Sequence, residues 1–233
     1  MSMGLESVDE CYKDNLRLLV TRVAAPRSVL VLFHGGGWVA GDPHQFDFQR
    51  QALAAAGIAS ASVEYRVKQR HGSMVADSVA DALDAGAYVR RAFADVPLFC
   101  CGASSGGLLA IHCALASSAS GVILFNPVVD LSAETGLKSK AVPPGGAIDL
   151  SPLHMDFSAF PTTLIMHGDN DNVVPLAASR QFAEKVRATG AAATVVSYPS
   201  AVHGFFNLEP ARTKTCNEMQ SFILNCLTRG STP

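Results

Sequence analysis

Charged residues are scarce in this chain of 233 residues, and neither sign dominates. Lysine and arginine total 18 while aspartate and glutamate total 20, which leaves a formal net charge of −2. Nucleic-acid-binding proteins usually carry a basic excess, so the balance argues against that function class. Because 48% of the residues are hydrophobic and only 16% are charged, the composition also excludes a disordered, highly charged chain.

Long uninterrupted hydrophobic runs are also missing. A membrane-spanning helix needs about 18 apolar residues, and the nearest candidate, 98–120, is interrupted by glycine, serine and histidine. The acidic N-terminal segment MSMGLESVDECYKDN has no apolar centre, unlike a signal peptide. We therefore expect a cytoplasmic protein without a membrane span.

The six cysteines form no CxxC pair, and the seven histidines form no HExxH motif. Cys100 and Cys101 lie in an apolar run, which predicts small buried hydrophobic residues in a reducing compartment. Neither a disulfide framework nor a zinc site is indicated. We expect no metal and no organic cofactor.

Short apolar runs alternate with helical patterns along the chain. The patterns predict strands at 29–33, 58–65, 98–101, 121–126, 162–166 and 193–198, and helices at 45–56, 75–91, 106–116, 176–189 and 212–227. The first 25 residues offer at most one short strand, at 16–23. This alternation predicts an α/β fold with a mostly parallel central sheet and helices on both faces.

One segment, 131–160, breaks the alternation with several prolines and glycines. Loops of this length are usually functional, and we interpret the segment as an insertion over the carboxyl edge of the sheet within a single domain, 1–233. Ligands of open α/β sheets bind at that edge. Glu64 and Arg66, at the end of one predicted strand, are expected to form an ion pair beneath the site.

The loop after the strand at 98–101 reads GASSGG and contains G-x-S-x-G with Ser104 at its centre. Between a strand and a helix, this motif makes a sharp turn that exposes the serine hydroxyl above the sheet. The following helix directs its positive N-terminal end at the same place. G-x-S-x-G alone also occurs in unreactive loops, but the strand–turn–helix context favours a nucleophile.

Three consecutive glycines follow the strand at 29–33, in the sequence HGGGW. Their backbone N–H groups are free to converge on an anion, as the tetrahedral intermediate of acyl transfer requires. A phosphate loop would need GKS or GKT, and a dinucleotide loop would need G-x-G-x-x-G at the start of a helix. This loop has neither, so it is predicted to supply oxyanion donors.

Two further strand ends carry an acid and a base. HGDNDNVVP contains Asp169 and Asp171; Asp171 lies deeper in the turn, whereas Asp169 is more typical of a residue that shapes it. AVHGFF, after the last predicted strand, contains His203. A lone aspartate or histidine is usually structural, but four loops at strand carboxyl ends each supply a different part of one mechanism.

Together, HGGGW, GASSGG, HGDNDNVVP and HGFF resemble the α/β-hydrolase fold, and within it the acetyl-esterase and hormone-sensitive-lipase-like branch. EYR at 64–66 and SPLHM at 151–155 add to this resemblance, which covers about 29–206. It implies Ser104 as the nucleophile, His203 as the base and Asp171 as the acid. It also implies oxyanion donors from the backbone N–H groups of Gly36, Gly37 and Ser105.

The resemblance further implies a serine carboxylic-ester hydrolase that acts through an acyl-enzyme on a small-molecule ester. Little sequence precedes the predicted core, so we expect a minimal cap and an open pocket, lined by Trp38 and Phe205. With SPLHM, this is similar to enzymes that remove short acyl groups from sugars. The oligomeric state has no signature in the sequence.

Three alternatives stay open. An amidase or peptidase of the same fold, kynurenine-formamidase-like enzymes included, would use the same triad, because other residues recognise the leaving group. Dienelactone hydrolases resemble the HGDNDNVVP and HGF segments but use a cysteine nucleophile where this chain has Ser104. A non-catalytic binding protein of this fold usually lacks a triad member, and this chain retains Ser104, Asp171 and His203.

Overall fold

An eight-stranded sheet forms the centre of the computed structural model, which describes residues 6–132 and 139–229. Its spatial order is β1-β2-β4-β3-β5-β6-β7-β8. The strands are β1 (Glu6–Lys13), β2 (Leu16–Arg22), β3 (Ser28–Phe33), β4 (Ile58–Val63), β5 (Leu98–Ala103), β6 (Gly121–Phe125), β7 (Thr162–Gly168) and β8 (Ala193–Tyr198). β2 is antiparallel to β1 and β4, and the other pairings are parallel. The predicted mostly parallel sheet is confirmed.

Helices cover both faces of the sheet, as predicted. The helices are α1 (Asp47–Ala55), α2 (Lys68–His71), α3 (Val75–Ala92), α4 (Ser105–Ala116), α5 (Leu176–Ala188) and α6 (Ala211–Arg229). Buried residues of α3, α4 and α5 share one hydrophobic cluster, and those of α1 and α6 share another. Short 3-10 helices lie at Pro43–Phe46, Ile148–Leu150 and Phe205–Asn207.

The continuous apolar runs of the central strands follow from this two-sided burial. Successive side chains of a strand point to opposite faces. In β5, Cys100 packs in the cluster with α4, and Phe99 and Cys101 pack in the cluster with α6. Both cysteines are free and fully buried, so their prediction as small buried hydrophobic residues is confirmed.

The N-terminal region differs from the prediction of at most one short strand. β1 and β2 form an antiparallel hairpin, in which Val8 is opposite Val20 and Asp9 is opposite Leu19. β1 is an edge strand that pairs on one side only, so its described side chains are exposed or half-buried. Its sequence, ESVDECYK, therefore lacks the apolar run that marks a buried strand.

The expected ion pair between Glu64 and Arg66 is wrong. Nε of Arg66 lies 2.8 Å from Oδ2 of Asp81, whose side chain is fully buried on α3, and Glu64 contacts Arg70 instead. Nζ of Lys13 lies 2.9 Å from the other carboxylate oxygen of Asp81. A buried carboxylate is stable only where cations and N–H groups compensate for the loss of its hydrating water. Arg66 and Lys13 provide this compensation for Asp81.

Described residues of the 131–160 segment contact the loops that follow β3 and β6. Oγ of Ser139 donates to the carbonyl oxygen of Gly37, just beyond β3, at 2.5 Å. The backbone N–H of Leu153 donates to the carbonyl oxygen of Val129, just beyond β6, at 2.9 Å. Nowhere in 6–132 or 139–229 is a helix long and apolar enough to cross a membrane.

Candidate active site

Ser104 lies on the sharp turn between β5 and α4, with φ 53° and ψ −119°. The turn is possible because its flanking glycines carry no side chain. A Cβ on Gly102 would lie 2.1 Å from the carbonyl oxygen of Gly106, and one on Gly106 would lie 2.1 Å from that of Phe33. The sharp turn predicted for the G-x-S-x-G loop is thus present, and the backbone strain at Ser104 is typical of functional sites.

The three residues predicted to form a triad meet above the sheet. Nε2 of His203 lies 3.0 Å from Oγ of Ser104, and Nδ1 of His203 lies 2.7 Å from Oδ2 of Asp171. The side chain of Asp171 is fully buried, and that of His203 is 23% exposed. A hydroxyl, an imidazole and a carboxylate in hydrogen-bonded series can activate the hydroxyl for nucleophilic attack.

Asp171, rather than Asp169, is the carboxylate that faces His203. Oδ1 of Asp171 accepts the backbone N–H groups of Val173 and Val174 at 2.8 and 2.9 Å, which holds the other oxygen towards the imidazole. Oδ1 of Asp169 accepts the N–H of Ser200 at 2.6 Å, consistent with a role in shaping the turn.

His167 holds the same loop from beneath. Its Nε2 donates to the carbonyl oxygen of Val174 at 2.9 Å, and its Nδ1 lies 2.7 Å from Oγ of Ser179. Burial lowers the pKa of His167, which favours a neutral ring that bridges the acid loop to α5.

The HGGGW loop approaches the first turn of α4. Gly36 and Gly37 have φ values of 119° and 63°, in the region that favours glycine. The N–H of Gly37 donates to Oγ of Ser105 at 2.9 Å. The first N–H groups of a helix have no partner within the helix, so the start of α4 directs donors to the space beside Ser104.

Two residues that the sequence reasoning missed support this loop. Oε1 of Gln45 accepts the N–H of Gly35 at 2.8 Å, and the Tyr65 hydroxyl donates to the carbonyl oxygen of His34 at 2.8 Å. The rings of Tyr65 and His34 stack with centroids 4.2 Å apart. Burial lowers the pKa of His34 to about 4, so its ring is neutral at pH 7. The EYR motif at 64–66 could have indicated Tyr65 from the sequence. No motif indicated Gln45.

A pocket of about 340 Å³ opens above Ser104, and we refer to it as the catalytic pocket. Trp38 lines it, as expected, but Phe205 does not: Phe205 packs on Tyr198, with ring centroids 4.6 Å apart. Phe206 lines the pocket instead. In a 3-10 turn, successive side chains point about 120° apart, so the two phenylalanines face different surroundings.

Asn126, just beyond β6, is a further residue of the catalytic pocket that was not singled out from the sequence. It is fully buried with φ 36°, and its Nδ2 lies 3.4 Å from Nδ1 of His203. Among the residues that the structure describes, its Oδ1 has no hydrogen-bond partner. In the described part of the chain, no three His, Cys, Asp or Glu side chains are grouped as a metal site would require.

Two family models match the chain. Residues 30–148, which are 119 of the 233, match a family described as alpha/beta hydrolase fold. Residues 146–230 match the prolyl oligopeptidase family. Among curated proteins, no relative matches the chain.

Solved structures of Thermogutta terrifontis esterase 2 are similar over almost the whole chain. A form described as phosphoramylated by tabun is 33% identical, with a TM-score of 0.84 and 94% of each chain covered. A propionate-bound form is 32% identical, with a TM-score of 0.83 and the same coverage. The apo form is 34% identical, with a TM-score of 0.82, and covers 97% of this chain and 96% of its own. This chain belongs to the α/β-hydrolase fold family.

Proposed function

We propose that this chain hydrolyses short-chain carboxylic esters through a covalent acyl-enzyme on Ser104. It is a serine esterase of the α/β-hydrolase fold, a class supported by the family match and by the solved esterases that it resembles. The observation that carries the proposal is the hydrogen-bonded series from Ser104 through His203 to Asp171, with distances of 3.0 and 2.7 Å.

In the proposed reaction, Nε2 of His203 accepts the hydroxyl proton of Ser104 as Oγ attacks the ester carbonyl. The carboxylate of Asp171 holds Nδ1–H in the productive tautomer and stabilises the imidazolium. His203 then donates the proton to the departing alcohol. Water, deprotonated by the same imidazole, hydrolyses the acyl-enzyme and restores Ser104.

The proposed oxyanion donors are the backbone N–H groups of Gly36, Gly37 and Ser105. Their location on both sides of Ser104, at the HGGGW loop and at the start of α4, supports this assignment. The N–H of Gly37 donates to Oγ of Ser105, and in the proposed reaction it keeps this contact while it also donates to the developing oxyanion. Each such donor is worth about 10²-fold or more in turnover.

The substrate class follows from the size and polarity of the site. The catalytic pocket holds about 340 Å³, near the lower end of pockets for small molecules, which favours a short acyl group. The related esterase structures described as propionate and butyrate bound support a short chain. Acetylated sugars are the natural esters that we propose, because Gln45, Ser139 and Asn207 give the pocket hydrogen-bonding groups for an alcohol rich in hydroxyls.

A serine-directed fluorophosphonate tests the nucleophile. We expect mass spectrometry to find one adduct, on the peptide that contains Ser104, and we expect Ser104→Ala to abolish it. Ser120→Ala, a matched change at an exposed position before β6, should retain the adduct. A protein that takes no label, or takes it elsewhere, would refute the assignment.

A second candidate, amide hydrolysis, is favoured by the match of residues 146–230 to the prolyl oligopeptidase family. Comparing kcat/KM for acetylated sugars, p-nitrophenyl acetate and the matching acetanilide and formanilide separates the two. Ester hydrolysis predicts that both anilides are much poorer substrates. Comparable rates on an anilide would favour the amidase.

A further inference from the structure

A second cavity, of about 210 Å³, adjoins the catalytic pocket on the side of α5. We call it the side pocket; its lining consists of residues 128–130, Leu153, 173–175, 177–178 and Gln181. Val128 and Val173 line both cavities. Val173 is 51% exposed, so its side chain lies at the surface between the two cavities and not within the core.

Both valines are attached to the proposed triad by backbone hydrogen bonds. The N–H of Val128 donates to the carbonyl oxygen of Ser104 at 2.9 Å. The N–H groups of Val173 and Val174 donate to Oδ1 of Asp171 at 2.8 and 2.9 Å. These hydrogen bonds therefore fix the position of the side-pocket walls relative to Ser104 and Asp171.

The lining determines which chemical group fits the side pocket. Eight of its ten residues are valine, leucine, proline or alanine, and the two polar residues are Asp130 and Gln181. The Asp130 carboxylate is held by the N–H of Ser132 at 2.8 Å and lies 3.1 Å from Nε2 of His154. Aliphatic walls favour an alkyl group, and a carboxylate at the rim repels an anion.

We propose that the side pocket is a second subsite of the esterase, which binds an uncharged alkyl arm of the ester while the carbonyl lies at Ser104. This inference rests on the proposed function. A volume of about 210 Å³ is below the roughly 300 Å³ of a pocket for a drug-sized ligand, so the arm is short. An ester has two arms, acyl and alcohol, and the same chemistry suits either.

Changing the volume of the side pocket tests the proposal. Ala178→Leu fills it from α5, and Ala188→Leu makes the same change at an exposed position on that helix, outside the pocket. Two substrate series distinguish the arms: methyl to butyl esters of acetic acid, and methyl esters from acetate to hexanoate. The rate of hydrolysis is measured from the protons that the product acid releases.

We expect Ala178→Leu to lower kcat/KM for the longest member, relative to the shortest, by at least about tenfold in one series, while Ala188→Leu keeps the wild-type ratio. An effect in the acetate series assigns the alcohol arm, and an effect in the methyl-ester series assigns the acyl arm. Leu153→Ala, which enlarges the pocket, should move the optimum to longer chains in that same series, and it decides the matter if Ala178→Leu does not fold.

Folded variants that keep the wild-type chain-length profile in both series would overturn the side pocket as a subsite. The proposed function fails differently. A wild-type protein that hydrolyses no member of either series would refute ester hydrolysis itself, whereas an active wild type with unresponsive variants refutes only the subsite.

Discussion

The backbone N–H of Gly37 donates a hydrogen bond to Oγ of Ser105 at 2.9 Å. This bond joins the loop after β3 to the first residue of α4, next to the proposed nucleophile. The carbonyl oxygen of Gly37 is held from the other side, by the hydroxyl of Ser139 at 2.5 Å. The peptide that we propose to contact the oxyanion is therefore positioned by two serine hydroxyls from distant parts of the chain.

Removing the Ser105 hydroxyl should slow the reaction without abolishing it. Ser105→Ala leaves the Gly37 N–H without its resting partner and loosens the loop. One hydrogen bond is worth about 1 kcal/mol, so we expect kcat for p-nitrophenyl acetate to fall by roughly fivefold, with a smaller change in KM. Ser120→Ala, at an exposed position, should be neutral. An unaltered rate in Ser105→Ala would show that the hydroxyl does not position the loop.

A side chain at Gly36 should disable the oxyanion loop. A Cβ there would lie 2.1 Å from the carbonyl oxygen of Ala40, and the φ of 119° disfavours any other residue. We expect Gly36→Ala to lower kcat by about 10²-fold or more. Gly145→Ala is the matched control, because a Cβ at that position meets no described residue within 4 Å, and it should retain full activity. Equal activities for the two variants would refute the assignment.

The two carboxylates of the acid loop should differ in their effect on turnover. Asp171→Asn places an amide against Nδ1 of His203, which favours the tautomer that presents Nε2–H to Ser104 and cannot accept its proton. We expect kcat to fall by about 10³- to 10⁴-fold. Asp169→Asn, which alters the contact with Ser200, should stay within about tenfold. A larger loss of kcat in Asp169→Asn than in Asp171→Asn would identify Asp169 as the acid of the triad.

Acid should destabilise the fold in part through His34. Burial lowers its pKa to about 4 from the ordinary 6.5, so between these values the unfolded chain binds a proton that the folded chain excludes. The stabilisation is fully present above pH 6.5 and is lost as the pH falls towards 4, amounting to roughly 3 kcal/mol.

Urea unfolding of wild type and His34→Gln between pH 7 and pH 4 measures this contribution. The wild-type free energy of unfolding should fall more steeply, and the difference between the curves isolates His34 from His112 and His167, whose pKa values burial also lowers. Parallel curves would show that His34 does not titrate with folding.

The central strands were predictable from the sequence because they are buried on both faces and thus appear as continuous apolar runs. β1 was not, because an edge strand with exposed side chains carries no such run. Ser104 and His203 were identifiable because each follows a strand in a glycine-flanked loop. Gln45 and Asn126 were not, because nothing near them in the chain indicates what they face.

The sequence by itself determined the alternation of strands and helices, the loops that meet at the carboxyl edge of the sheet, and the residue types they bring there. These follow from local periodicity and from glycines at positions where a sharp turn leaves no space for a side chain. Only the tertiary structure decided which atoms meet. Gly37 and Ser105 are 68 positions apart, Phe206 rather than Phe205 faces the catalytic pocket, and Val128 and Val173 line a second cavity as well. Such contacts depend on packing between distant segments, which no local pattern records.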